Sequence, residues 1–73
     1  MDKITQEIAA AVKRAIQSAE TSEHKVAQAI GLPRTTFYRR AEGHSSFTGT
    51  DLVKIAKHLG TDVRDFFSSQ QQS

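Results

Sequence analysis

Three glycines, Gly31, Gly43 and Gly60, each close a stretch whose apolar residues recur every three or four positions. A glycine just past the end of such a stretch is the usual stop of an α-helix, because it takes the left-handed conformation without a Cβ penalty. The chain is therefore cut into short helices. No window alternates apolar and polar residues, and the β-branched residues are scattered, so strands are not expected. With 73 residues and 37% hydrophobic content, much of it alanine, the core must be small.

The spacing predicts five helices. The first covers about 3 to 19, with Asp2 as N-cap and Ile4, Ile8, Val12, Ala15, Ile16 and Ala19 as its apolar stripe. The second runs about 23 to 30, capped by Ser22, with Val26, Ala27 and Ile30 inward. Gly31-Leu32-Pro33 is a tight turn, and the third helix follows at once, about 34 to 42, with Pro33 at its start. A polar loop from Gly43 to about Thr50 carries Phe47, expected to plug back into the core. The fourth helix, about 50 to 59, carries Leu52, Val53, Ile55, Ala56 and Leu59. Asp62 and Asp65 suit the first turn of a short fifth helix bearing Val63, Phe66 and Phe67. Residues 68 to 73, Ser-Ser-Gln-Gln-Gln-Ser, read as a polar tail or the start of a linker, which leaves residues 1–67 as one all-α domain.

Several classes of function find no support. The absence of cysteine removes disulfides, thiolate metal sites and a Cys nucleophile together. His24, His44 and His58 are too dispersed for a zinc site, which needs about four converging ligands. No catalytic constellation and no phosphate-cradling glycine loop occurs, and the core leaves no room for a sizeable substrate pocket, so neither an enzyme nor a cofactor is expected. The longest apolar run, Ile8 to Val12, is far too short to span a membrane. Ten Lys/Arg against eight Asp/Glu give a net charge of +2, so the location of the charge decides more than its total. Residues 33 to 44 hold three arginines and one glutamate.

The stretch from Ser22 to Gly43, SEHKVAQAIGLPRTTFYRRAEG, has the parts of a helix-turn-helix. Small Ala27 permits close approach of two helices, Gly31 makes the turn, and Leu32 and Phe37 pin the second helix to the first. This stretch, with a leading helix before it and LVKIAKHLG and TDVRDFF after it, resembles the DNA-binding domains of the lambda-repressor/Cro-type family. The resemblance covers about residues 4 to 67. It implies a compact five-helix bundle with a central helix-turn-helix, acting as a sequence-specific transcriptional regulator on a double-stranded DNA operator. A phage or prophage repressor or Cro-like protein, complete or as an N-terminal domain, in the cytoplasm of a bacterial or phage-infected cell is the expectation.

Phe37 and Ala41 point inward on the third helix, so its outward face holds Arg34, Thr35, Tyr38 and Arg39. The resemblance assigns these four to base edges, and the arginine fork suits guanine O6 and N7. Arg34, in the first turn, is the stronger candidate of the two arginines. Ser22, Lys25, Thr36, Arg40, His44, Ser45 and Ser46 are assigned to phosphates. Val63, Phe66 and Phe67 are candidates for a weak homodimer contact, since adjacent aromatics on a helix diverge by about 100° and one must turn partly outward. Three positions depart from the family pattern. Glu23 and Glu42 place acids where phosphate contacts are common, and Arg40 replaces an apolar residue, its stem expected over the core and its guanidinium toward the DNA backbone. Two other readings stand beside the regulator. One is an antitoxin, which shares the fold. The other is a protein-interaction bundle without DNA binding, favoured by Glu23 and Glu42.

Overall fold

A computed structural model describes residues 3–70, with side chains for residues 3–67. Asp2 and residues 71–73 lie outside the described residues. The chain forms four α-helices and a closing 3-10 helix: α1 (Lys3–Ser18), α2 (Glu23–Ile30), α3 (Arg34–Ala41), α4 (Gly49–Leu59) and η1 (Val63–Gln70). No strand occurs among the described residues. The fifth element is thus 3-10 rather than α, and it takes in the first three residues of the expected polar tail.

The four α-helices all stop in the same way. The amide after the last turn donates back three residues, and the next amide donates back five. The pairs are Glu20 to Gln17 and Thr21 to Ile16, Gly31 to Gln28 and Leu32 to Ala27, Gly43 to Arg40 and His44 to Arg39, Gly60 to Lys57 and Thr61 to Ala56. This double bond satisfies carbonyls that a helix end leaves orphaned, and it needs a left-handed residue at the first position. Glycine supplies it three times, at φ between 73° and 86°. At α1 the residue is Glu20, at φ 57°, the one non-glycine residue with positive φ among those described.

The starts of α2 and α4 are capped by side chains. Ser22 Oγ accepts from the Lys25 amide at 3.2 Å. Thr48 and Asp51 form a reciprocal box: Thr48 Oγ1 accepts from the Asp51 amide at 3.0 Å, and Asp51 Oδ2 accepts from the Thr48 amide at 3.4 Å. The sequence carries this signal as Thr-x-x-Asp before an apolar run, and it sets the start of α4 at Gly49.

Val12, Val26, Phe37, Ile55 and Phe66 are the largest fully buried side chains, one from each element. Phe47 returns from the loop as expected and meets Phe37 edge-on, ring centroids 5.6 Å apart at 68°. α1 packs on η1, α3 and α2, while α2 packs on α3 and α4, and α4 also packs on η1. The radius of gyration is 11.2 Å, close to the ~11 Å of a packed chain this long.

The apolar stripe of α1 differs from the expected one. Ala9, Ala11, Val12 and Ile16 are buried, whereas Ile4 is 50% exposed and Ala19 is exposed. Val12 and Ile16 lie inside the buried face, and the small side chains of Ala9 and Ala11, about 160° apart round the helix, mark its two edges. Val53, expected with the inward residues of α4, is 44% exposed. It lies one position past Leu52, and the buried stripe of Asp51, Leu52, Ile55 and Ala56 faces the other way.

Candidate nucleic-acid interface

α3 starts three residues after α2 ends, and the turn between them is rigid in construction. Gly31 takes φ 79° and ψ 22°, Leu32 is half-buried against the core, and Pro33 opens α3 with its carbonyl accepting the Phe37 amide at 3.0 Å. Ala27 is 1% exposed, and its helix α2 packs on α3. Phe37 at 0% and Ala41 at 2% exposure fix which side of α3 is inward.

At about 100° per residue, the direction opposite the mean of Phe37 and Ala41 falls on Arg39, with Thr35 about 40° to one side. Arg34, Thr35, Tyr38 and Arg39 are all exposed, Tyr38 at 40%. Arg39 stands at the centre of the outward face. Arg34, the stronger candidate on sequence, lies about 140° from that outward direction and owes its exposure to its place at the helix start. Neither arginine forms a salt bridge among the described residues.

The other assigned residues divide. Ser22 and Lys25 are exposed at the start of α2, Ser22 with its oxygen engaged in the cap. Thr36 is half-buried. His44 is exposed, Ser45 half-buried, and Ser46 exposed with its hydroxyl 3.0 Å from that of Thr5, which ties the loop to α1. Arg40 differs from expectation. Its guanidinium donates to Asp51 Oδ2 rather than pointing away from the protein, and the pair is largely sheltered, with side chains 23% and 12% exposed. Phe66 is buried at 2%, so it belongs to the core and not to an outer contact surface. Val63 and Phe67 are half-buried and remain on the surface, with Phe67 the aromatic that turns outward.

Two residues with a part in this region escape the sequence pattern. Lys13 of α1 donates to Glu42 Oε2 at 2.9 Å, and Glu23 also lies within its electrostatic reach. The acids at positions 23 and 42 therefore face a cation from another element. The hydrogen bond from Lys13 holds the Glu42 carboxyl below its ordinary value, and the same bond raises the Lys13 ammonium. Asp51, the other unforeseen residue, is the buried charged side chain of the described set. Its capping motif was visible in the sequence, but its ion pair to a residue eleven positions earlier was not.

No three His, Cys, Asp or Glu side chains converge as metal ligands among the described residues, and His24 Nδ1 is buried without a hydrogen-bond partner. No helix among them is long and apolar enough to cross a membrane. No family model, no curated protein and no solved structure matches this chain.

Proposed function

We propose that this protein is a sequence-specific regulator that binds double-stranded DNA, with α2, the turn and α3 as a helix-turn-helix and α3 in the major groove. The observation that carries the reading is the outward face of α3. Arg39 stands at its centre with Thr35 beside it and exposed Tyr38 on its flank, on a helix whose inner side is set by buried Phe37 and Ala41, while Arg34 is exposed at the helix start; neither Arg34 nor Arg39 has an acidic partner among the described residues. Exposed guanidinium groups on a fixed helix suit guanine edges, and the adjacent Ser22, Lys25 and His44 suit phosphates. The lambda-repressor/Cro-type resemblance supports the same assignment.

Selection of bound sites from a random duplex pool, followed by titration in rising salt, tests it. About six phosphate contacts give a slope near −5 in log K against log salt. A flat response between about 50 and 200 mM salt refutes DNA binding. It would leave the interaction-bundle reading, which the acids at Glu23 and Glu42 favour. Val63 and Phe67 form the surface for any weak homodimer on palindromic sites, read out by sedimentation of the complex.

A further inference from the structure

We propose that Arg40 is a positioning residue of the recognition helix, held by Asp51, and not a phosphate contact. The proposal rests on the DNA-binding reading above and concerns how α3 is aimed. α3 packs on α1 and α2, and α4 packs on α2 and η1. The two helices are joined by the loop of residues 42–48 and have little packing of their own. The Arg40–Asp51 ion pair spans this gap. At the Asp51 end it is fixed firmly, because that carboxylate also accepts from the Thr48 amide inside the capping box and sits at the positive end of the α4 dipole. At the other end Arg40 immediately follows Arg39, the residue at the centre of the outward face. Its partner Asp51 therefore sets the height and rotation of the last turn of α3, and with it the direction of Tyr38 and Arg39. A planar guanidinium bound to a sheltered carboxylate gives up that partner reluctantly, since a carboxylate 12% exposed is costly to leave unpaired.

The pair makes a prediction opposite in sign to simple electrostatics. Removing an acid near DNA ordinarily raises affinity for it. Asp51→Asn removes a negative charge and retains a carbonyl oxygen for the Thr48 amide, so α4 keeps its cap while the contact from Arg40, made to that same oxygen, is weakened from an ion pair to a neutral hydrogen bond. Affinity for the selected site should nevertheless fall by about tenfold, while affinity for random duplex is unchanged or rises. Arg40→Gln should give a similar loss on the selected site with the salt slope unchanged, and Arg40→Lys should recover most of it. All variants are titrated at a temperature where circular dichroism shows them fully folded. Loss of folded protein lowers selected and random binding together, so the ratio between them reports aim alone. The proposal is overturned if Arg40→Gln weakens both duplexes equally and lowers the slope by about one, as a phosphate contact does. It is also overturned if Asp51→Asn leaves binding to the selected site unchanged or improves it. A wild-type protein that selects no duplex refutes the DNA-binding reading itself, and this proposal with it.

Discussion

Glu20 is the position where this fold carries a removable strain. Four helices end in one hydrogen-bonding pattern, and three of them place glycine at the left-handed residue, but α1 places Glu20 there at φ 57°. A left-handed L-residue costs about 1–2 kcal/mol through the contact of Cβ with the following carbonyl. Glycine removes that cost and gives back about 0.4–1 kcal/mol through its greater freedom in the unfolded chain. An acid at the C-terminal end of a helix also opposes the helix dipole, by about 0.3–1 kcal/mol when exposed, as Glu20 is. Glu20→Gly should therefore stabilise the domain by about 0.3–2.6 kcal/mol. For a domain this short each kcal/mol moves Tm by about 4–8 °C. The Glu20→Gln control removes the charge and keeps the strain, so the difference between the two variants isolates the backbone contribution. Urea and thermal melts followed by circular dichroism supply both numbers. The converse series ranks the glycines. Gly31→Ala meets no atom within 4 Å and should lose about 1 kcal/mol from conformation alone, while Gly43→Ala should lose more, because its Cβ would stand 3.3 Å from Gln6 Cγ. A Glu20→Gly protein no more stable than Glu20→Gln refutes the strain argument.

The Glu42 carboxyl, observed by carbon NMR, should titrate below its ordinary value of 4.5, and Lys13→Met should return it there. Because its folded-state value is depressed, the pair contributes stability above the ordinary carboxylate range and loses it as pH falls through the depressed value, so Glu42→Gln should flatten the acid limb of a pH-stability profile. Thr48→Ala breaks the capping box and should cost about 1 kcal/mol by urea melt, whereas Ser46→Ala should cost less, since its hydroxyl bond to Thr5 is exposed. Arg34→Ala and Arg39→Ala should each lose about 1–3 kcal/mol on a selected duplex and relax discrimination at one or two base pairs, with Arg39 at least the equal of Arg34. Equal losses on selected and random duplex would remove either from base reading.

The parts of the fold that could be read from the chain are those set by neighbours in sequence. Gly31, Pro33 and Ser22 mark the ends of α2 and α3 because caps and stops act over three to five residues. The register of α1 was harder to read because alanine is as much at home inside as outside. Its run of Ala9, Ala10 and Ala11 carries no signal of which side is inward, and only packing buried two of the three. The closing element reads as an amphipathic helix from Val63, Phe66 and Phe67, but the apolar spacing does not distinguish 3-10 from α winding, and its packing on α1 and α4 is set by distant residues. The outward face of α3 was legible because Phe37 and Ala41 fix its inner side, while the partner of Arg40 was not, since it depends on where α4 lies.

The same distinction bears on the charge. A net charge of +2 is small for a protein proposed to bind a polyanion, and the total says nothing about how acids and bases are matched in space. Two of the acids nearest α3 are matched across elements, Glu42 by Lys13 over 29 residues and Asp51 by Arg40 over 11. Asp62 is matched locally by Arg64 at 3.0 Å. Each pair neutralises an acid with a base that is not on the outward face of α3. Arg39 at the centre of that face, and Arg34 exposed at the start of the helix, have no such acid among the described residues. Each charge is therefore open to solvent instead of closing on a neighbouring acid, and acts within a Debye length of about 8 Å at physiological salt. Glu42, which on sequence argues against a polyanionic partner, loses that force because Lys13 is bonded to it, whereas Glu23 keeps its charge with only a longer-range attraction to the same lysine.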